Sequence, residues 1–314
     1  FVARVKEQWP DYTPDVGGVR AITRICRLVE GIPLAIELAA ARITLLDAED
    51  IARRLESDFS ILRRRDREHP DRHQTLDMAI NWGYQLLLED ERLLLDRLAV
   101  FKGGFTMPAA QAVCSGSSPG GGPALPAGVI EDHVYHLCDK SFMVSLKAES
   151  GRRYQMPEMI RQFGLKRLAE RGEEAWVSER HTAYQVQVVE EAEPYLRSPE
   201  AQLWLDRLDE ERGNLEAAMV WIQEHDAWAW GYRFSAAAGR YWYLRGHVDY
   251  EREWLAMVLA QPEQDGPGPV GARARYGAGL LAYAQGDFAG AFEAWTASAQ
   301  LWRELGDLRM VALL

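Results

Sequence analysis

At 314 residues the chain is long enough for two or three domains of ordinary size, and its 47% hydrophobic and 26% charged content is that of a core-forming soluble chain, not a disordered one. A net charge of −11 with a pI near 5.2 sets up a field that repels nucleic acid, whose binding needs a basic face. The longest apolar stretch, Pro33 to Leu46, is broken by Glu37 and Arg42 and falls short of the ~18 residues of a membrane span, so a cytoplasmic location without membrane contact is expected.

Phe1 begins the chain without Met inside an amphipathic helical pattern, and this start is read as a cut in a longer protein. Gly31-Ile32-Pro33-Leu34-Ala35 opens an apolar helix expected to run to Leu46, with Pro33 at the first helical position, where a missing N–H costs nothing. Asp47 reads as the N-cap of a helix from Ala48 to Leu55. A charged linker runs from Arg63 to Pro70, and its Arg63-Arg64-Arg65 run is interrupted by Asp66 and Glu68, as in a solvated loop.

A second set of elements starts near His73. Leu76, Ala79, Ile80, Trp82 and Leu86 share one helical face, and Leu93, Leu94, Leu98 and Phe101 another. Gly103-Gly104 ends that helix, and Thr106 caps the next, Met107 to Cys114. Ser115 to Pro126, rich in Gly, Pro and Ser, reads as a mobile loop. After a helix from Val129 to Cys138 comes the clear β signal: Phe142 to Leu146 and Arg153 to Met156, paired around a turn at Glu149-Ser150-Gly151. Helices followed by a hairpin is the winged-helix order. Pro157 then opens a helix to about Arg171.

From Glu173 onward the chain reads as helix, with an internal repeat. Ala238-Gly239 and Ala278-Gly279 each precede a second glycine, Gly246 and Gly286, by seven residues, and the copies are forty residues apart. Helical hairpins of this kind bury their faces only by stacking. The end at Leu314, inside a further repeat, is read as a second cut.

Cys26, Cys114 and Cys138 are far apart and odd in number, which excludes a disulfide scaffold and argues against a zinc site; they read as small buried residues in a reducing compartment. The seven histidines show no metal-ligand spacing, so no metal is expected. No Gly-x-Ser-x-Gly elbow is present, and the carboxylate pairs, such as Asp209 with Glu210 and Glu211, suit solvated helix faces; no catalytic residue is assigned.

Gly279, Gly286-Asp287-Phe288, Ala291 and Trp295 resemble a tetratricopeptide repeat, and Gly239 to Val248 is a weaker copy in which His247 replaces the turn acid. Gly31 to Arg42 is similar to the Gly-Leu-Pro-Leu-Ala helix of NB-ARC-type STAND ATPases. Arg72 to Leu76, Asn81 to Tyr84, Leu98 to Phe105, Leu137 to Ser141 and Tyr154 to Phe163 resemble the winged-helix portion of bacterial AfsR/LuxR-type regulators. Trp204-Leu205-Asp206 and Asn214 to Ala218 resemble their bridging helices.

The resemblance implies a mostly α chain: a helical domain over 1–67, a winged helix with a small β-hairpin over 68–172, bridging helices over 173–228, and an α-solenoid of tetratricopeptide-like hairpins over 229–314. It implies the regulatory and sensor portion of a transcriptional regulator that switches between ADP and ATP, with the phosphate loop and magnesium-binding acid in an upstream nucleotide-binding domain. This chain itself would hold no cofactor and catalyse nothing, ADP or ATP with magnesium belonging to the parent. Pro33 would lie near the nucleotide. The family's Met-His-Asp motif corresponds to Met156-Pro157-Glu158, where proline has no side-chain donor. His73, Glu158 and Arg161 are expected as domain latches. The repeats would receive a protein or small-molecule inducer, and Trp228, Trp230, Tyr241 and Trp242 read either as partner anchors there or as rings filling the core between repeat helices. Two rival readings are a nucleotide-independent interaction scaffold and a DNA-binding winged-helix factor; the acidic balance opposes the second.

Overall fold

A computed structural model describes residues 1–29, 31–63, 72–148, 151–262 and 268–313, with the side chains of 56–63, 72–76 and 313 outside that description. The chain is mostly α-helical, with one small two-stranded sheet among the described residues. It divides into two units: 1–100, 106–146 and 152–174 form the first; 101–105, 147–151 and 175–314 form the second.

The first unit begins with four helices: α1 (Val2–Gln8), α2 (Val16–Leu28), α3 (Pro33–Ala40) and α4 (Ala48–Arg63). The Asp15 carboxylate accepts from Gly18 N at 2.7 Å and starts α2, whose Ala21, Ile22 and Ile25 face inward onto Ile51, Ala52 and Leu55 of α4. Asp47 caps α4 as expected, accepting from Asp50 N at 2.7 Å. The apolar helix stops six residues before its expected end. Past Ala40 the backbone tightens into three-residue turns, Arg42 N to Ala39 O and Ile43 N to Ala40 O, which carry Arg42 into the interior. The charged linker lies outside the described residues.

Next come α5 (Arg72–Gln85), α6 (Glu89–Leu98), α7 (Met107–Cys114), α8 (Ala127–Asp139), strands β1 (Val144–Ala148) and β2 (Gly151–Gln155), and α9 (Glu158–Glu170). Thr106 caps α7 through Ala109 N at 3.4 Å. The strands sit about two residues from their sequence-read positions because Phe142 and Met143 turn into the core, at 0% and 1% exposure, before pairing begins.

The second unit is a run of antiparallel helices: α10 (Glu174–Ala192), a short 3-10 turn (Glu193–Arg197), α11 (Ala201–Glu224), α12 (Trp228–Arg245), α13 (Asp249–Leu259), α14 (Pro269–Ala284), α15 (Phe288–Glu304) and α16 (Leu308–Leu313). One turn recurs. Gly246, Gly286 and Gly306 have φ of 71°, 79° and 76°, and the next residue's N–H returns to the carbonyl of Trp242, Ala282 and Trp302 respectively. Asp287 and Asp307 then cap the following helices through Gly290 N and Met310 N. The close approaches run through glycine. A Cβ on Gly239 would stand 2.8 Å from Gly277 Cα, so α12 and α14 meet backbone to backbone, and a Cβ on Gly279 would stand 2.2 Å from Trp295 Nε1.

Candidate functional site

Sequence gives α6 an apolar face at Leu93, Leu94 and Leu98; beside it, Glu91, Asp96 and Arg97 are each fully buried in the first unit. Burying a charge is tolerated only when it is paired and hydrogen-bonded, and each of these is. Arg97 uses all five of its N–H donors. Nε and Nη2 clasp the Glu173 carboxylate at 2.8 and 2.9 Å, Nη1 donates to the carbonyls of Cys114 and Gly116 at 2.8 Å, and Nη2 also donates to Pro123 O at 3.0 Å. Ser115 to Pro126, read from sequence as mobile, is therefore fastened at its neck, where Gly116 and Leu125 also form a β-bridge. Burial works to raise the Glu173 carboxyl, but hydrogen bonds from Arg97 and Ser118 outweigh it and hold it below the usual carboxylate range.

Asp96 accepts from Tyr84 Oη at 2.7 Å and from Arg171 Nε at 2.6 Å. Burial nevertheless pushes its carboxyl up to about 6, with Arg171 and Tyr84 opposing. Glu91 takes both oxygens to Lys140 Nζ at 2.5 Å and reaches back to Leu88 N at 2.9 Å. His133 and His136 stand close enough to Glu91 for the three to hold a metal ion. Lys140, however, already supplies the cation on both Glu91 oxygens, which makes this cluster an ion-pair site.

Arg42 joins the helices of 1–63 to those that follow. It is fully buried, donates from Nη2 to Gly83 O at 3.0 Å, and lies 5.8 Å from the ring centre of Phe142, while its Nε and Nη1 have no hydrogen-bond partner among the described residues. Burial lowers its pKa to about 10, with Glu91 opposing. Arg4 to Ser141 Oγ at 3.1 Å and Gln8 to Asp139 O at 2.6 Å run across the same face. This set is a latch within the first unit: one buried cation with spare donors and two hydrogen bonds at its rim.

The residues singled out from sequence are not gathered into this latch. Pro33 sits exposed at the first position of α3. His73 falls in α5, with its side chain outside the described residues. Glu158 and Arg161 pair with each other inside α9, both contacts at 2.8 Å, and Arg161 also donates to Ala99 O at 3.3 Å. Both belong to the packing of α9 on the end of α6. In the second unit Tyr241 and Trp242 are core residues, 1% and 3% exposed, and are not surface anchors; Tyr241 Oη donates to Asp209. Both rings are buried in the core cluster of the repeat helices. Trp228 and Trp230 are partly buried against the same core. Sequence reasoning noticed Arg42 only as a break in an apolar run, the signal that could have marked it.

One pair of sequence motifs does meet. Asn214 of α11 accepts from Lys102 N at 2.7 Å and donates to Gly104 O at 2.9 Å, holding the Phe101–Phe105 loop in the second unit. His181 of α10 packs edge-on against Phe101 and lies 3.4 Å from Asn214 Oδ1. Complete burial lowers its pKa to about 4.

No protein-family model matches the chain, and no solved structure matches it. Similarity to curated proteins is extensive. Proteins named "Putative HTH-type transcriptional regulator" from Mycobacterium tuberculosis and Mycobacterium bovis are 32% identical to it over 262 residues. That match takes in 82% of this chain and 28% of each relative, so the chain spans little more than a quarter of the length of these relatives. An "Uncharacterized protein" of Mycobacterium tuberculosis is 34% identical over 173 residues, 55% of this chain and 43% of that protein. This mostly helical chain is thus similar, over most of its length, to one segment of longer mycobacterial proteins that carry the regulator name. No described helix is long and apolar enough to cross a membrane.

Proposed function

We propose that the chain is the regulatory and sensor segment of a STAND-type transcriptional regulator. The observation that carries the reading is the 82% coverage by relatives named as transcriptional regulators. Under it, helices α1–α4 are the helical domain of an NB-ARC-like module, α5–α9 with the hairpin are its winged helix, and the second unit carries bridging helices and tetratricopeptide-like repeats. The recurring glycine turns and glycine-mediated helix contacts support the repeat assignment.

Nucleotide chemistry in this proposal belongs to another segment of the longer protein, which holds ADP or ATP with magnesium; the present chain supplies the closing surface and the inducer-binding repeats. Switching is a difference of affinity between two arrangements of domains, not a chemical step. The Arg42 latch suits such an element, because its buried cation has two unpartnered nitrogens and is held by a single hydrogen bond. The reading is tested by titrating ADP into the longer protein with Pro33 intact and with Pro33→Asp. Asp is favoured in the first turn of a helix, so the variant keeps α3 while setting a charge beside the nucleotide. ADP affinity is expected to fall roughly tenfold or more, in line with the cost of a misplaced charge at an interface.

A further inference from the structure

The second unit contains a pocket of about 230 Å³ walled by Arg197, Arg240, Arg273, Tyr276, Trp302 and the carboxylate-bearing Glu193, with Gly239 and Gly277 at the crossing of α12 and α14. Its chemistry departs from that of the unit around it. Several arginines of the second unit are paired: Arg233 with Glu190, Arg245 with Asp206 and Asp209, Arg252 with Asp287. None of the three pocket arginines has a carboxylate partner among the described residues, in a protein of net charge −11. Arg240 is oriented by its Nε–H, which donates to Leu196 O at 3.0 Å, and Arg197 lies 5.6 Å from the Tyr276 ring centre.

Trp302 is 4% exposed, and its ring closes one wall of the pocket. A pocket with three guanidiniums that lack a carboxylate partner among the described residues, and with aromatic walls, is short of negative charge.

We propose that this pocket binds a small organic anion, a carboxylate or phosphate carried on a flat apolar body. The anionic group would pair with Arg240 and Arg273, and the flat body would lie against Tyr276 beside Arg197, with the Trp302 ring at the wall. Glu193 opposes the anion from one wall and selects against a more extended negative charge. The volume sits just below the 300–1,000 Å³ of drug-sized ligand sites, which fits a compact molecule. As an anion site the proposal stands on this geometry; as the inducer site it rests on the sensor reading above.

The test uses the 314-residue chain with benzoate, phenyl phosphate and neutral benzamide as probes, read by calorimetry and by the Trp302 indole N–H resonance assigned with Trp302→Phe. Benzoate or phenyl phosphate, whichever group the site prefers, is expected to bind and shift that resonance, while benzamide does neither. Arg273 is exposed, so Arg273→Gln leaves the fold intact and is expected to weaken binding roughly tenfold, the loss of one charge-assisted hydrogen bond. Equal binding of benzamide, unchanged affinity in Arg273→Gln, or no shift with either anion overturns the site. If an anion binds here yet leaves the nucleotide response of the longer protein unaltered, the site stands and its sensor role falls. If no anion binds while the longer protein still distinguishes ADP from ATP, the site falls and the switch stands.

Discussion

His181 is the residue whose titration reads out the second unit. Its pKa of about 4 in the fold lies below the unfolded value near 6.5, so the folded state disfavours the protonated ring. The associated stability is fully present above about pH 6.5 and is lost as pH falls toward 4, because the unfolded chain then binds a proton that the folded chain refuses. The loss approaches about 3 kcal/mol for a fully buried group. Urea unfolding of wild type and His181→Gln across this window checks it: the variant is expected to lose the His181 contribution to the slope. In the first unit, Arg97→Met leaves Glu173 buried with its main cation gone. That is expected to cost about 3–5 kcal/mol, measured by chemical denaturation; a cost under about 1 kcal/mol would show that water replaces the guanidinium. Arg97 was not legible as a buried group. Glu91, Asp96 and Arg97 sit among the charged neighbours Glu89, Asp90 and Arg92, and the burial of these three arises from α8, α9 and the 115–126 loop closing over α6, which no local pattern encodes.

At the scale of elements, local chemistry was a good guide wherever it acts locally. Asp47 and Thr106 cap the helices their side chains suggested, because a cap needs nothing beyond its own next three residues. The forty-residue spacing of Gly246 and Gly286 marks matching left-handed turns, and Gly306-Asp307 repeats the same turn twenty residues on, where it was missed. Which atoms each glycine makes room for is decided by tertiary packing. Gly239 and Gly279 share a place in the forty-residue repeat, yet Gly239 meets Gly277 across the helix pair while Gly279 makes room for Trp295. Three substitutions separate these roles. Gly239→Ala drives a methyl into the α14 backbone and Gly279→Ala drives one into an indole; each is expected to cost about 1–3 kcal/mol as overpacking. Gly286→Ala meets open space and is expected to cost roughly 1–2 kcal/mol through its positive φ alone. Gly286→Asn should recover part of that loss and Gly279→Asn none, as measured by thermal unfolding.

For the molecule as a whole, the order of elements was readable because helices, hairpin and glycine-turned repeats each leave a periodic trace. The mostly α class follows from that order. The latch was not readable: Arg42, Gly83, Ser141 and Phe142 are separated by up to a hundred residues and meet only through packing in the first unit. The aromatic run from Trp228 to Trp242 allowed two readings, since large rings spaced along a helix fill a repeat core as well as they would form a binding surface, and Tyr241 and Trp242 fill the core. The central claim is that this segment closes over a nucleotide held elsewhere in a longer regulator. ADP titration of that longer protein, with and without Pro33→Asp, tests it most directly. The account predicts tight ADP binding that the substitution weakens roughly tenfold or more; no ADP binding, or equal binding by both proteins with α3 still folded, would contradict it.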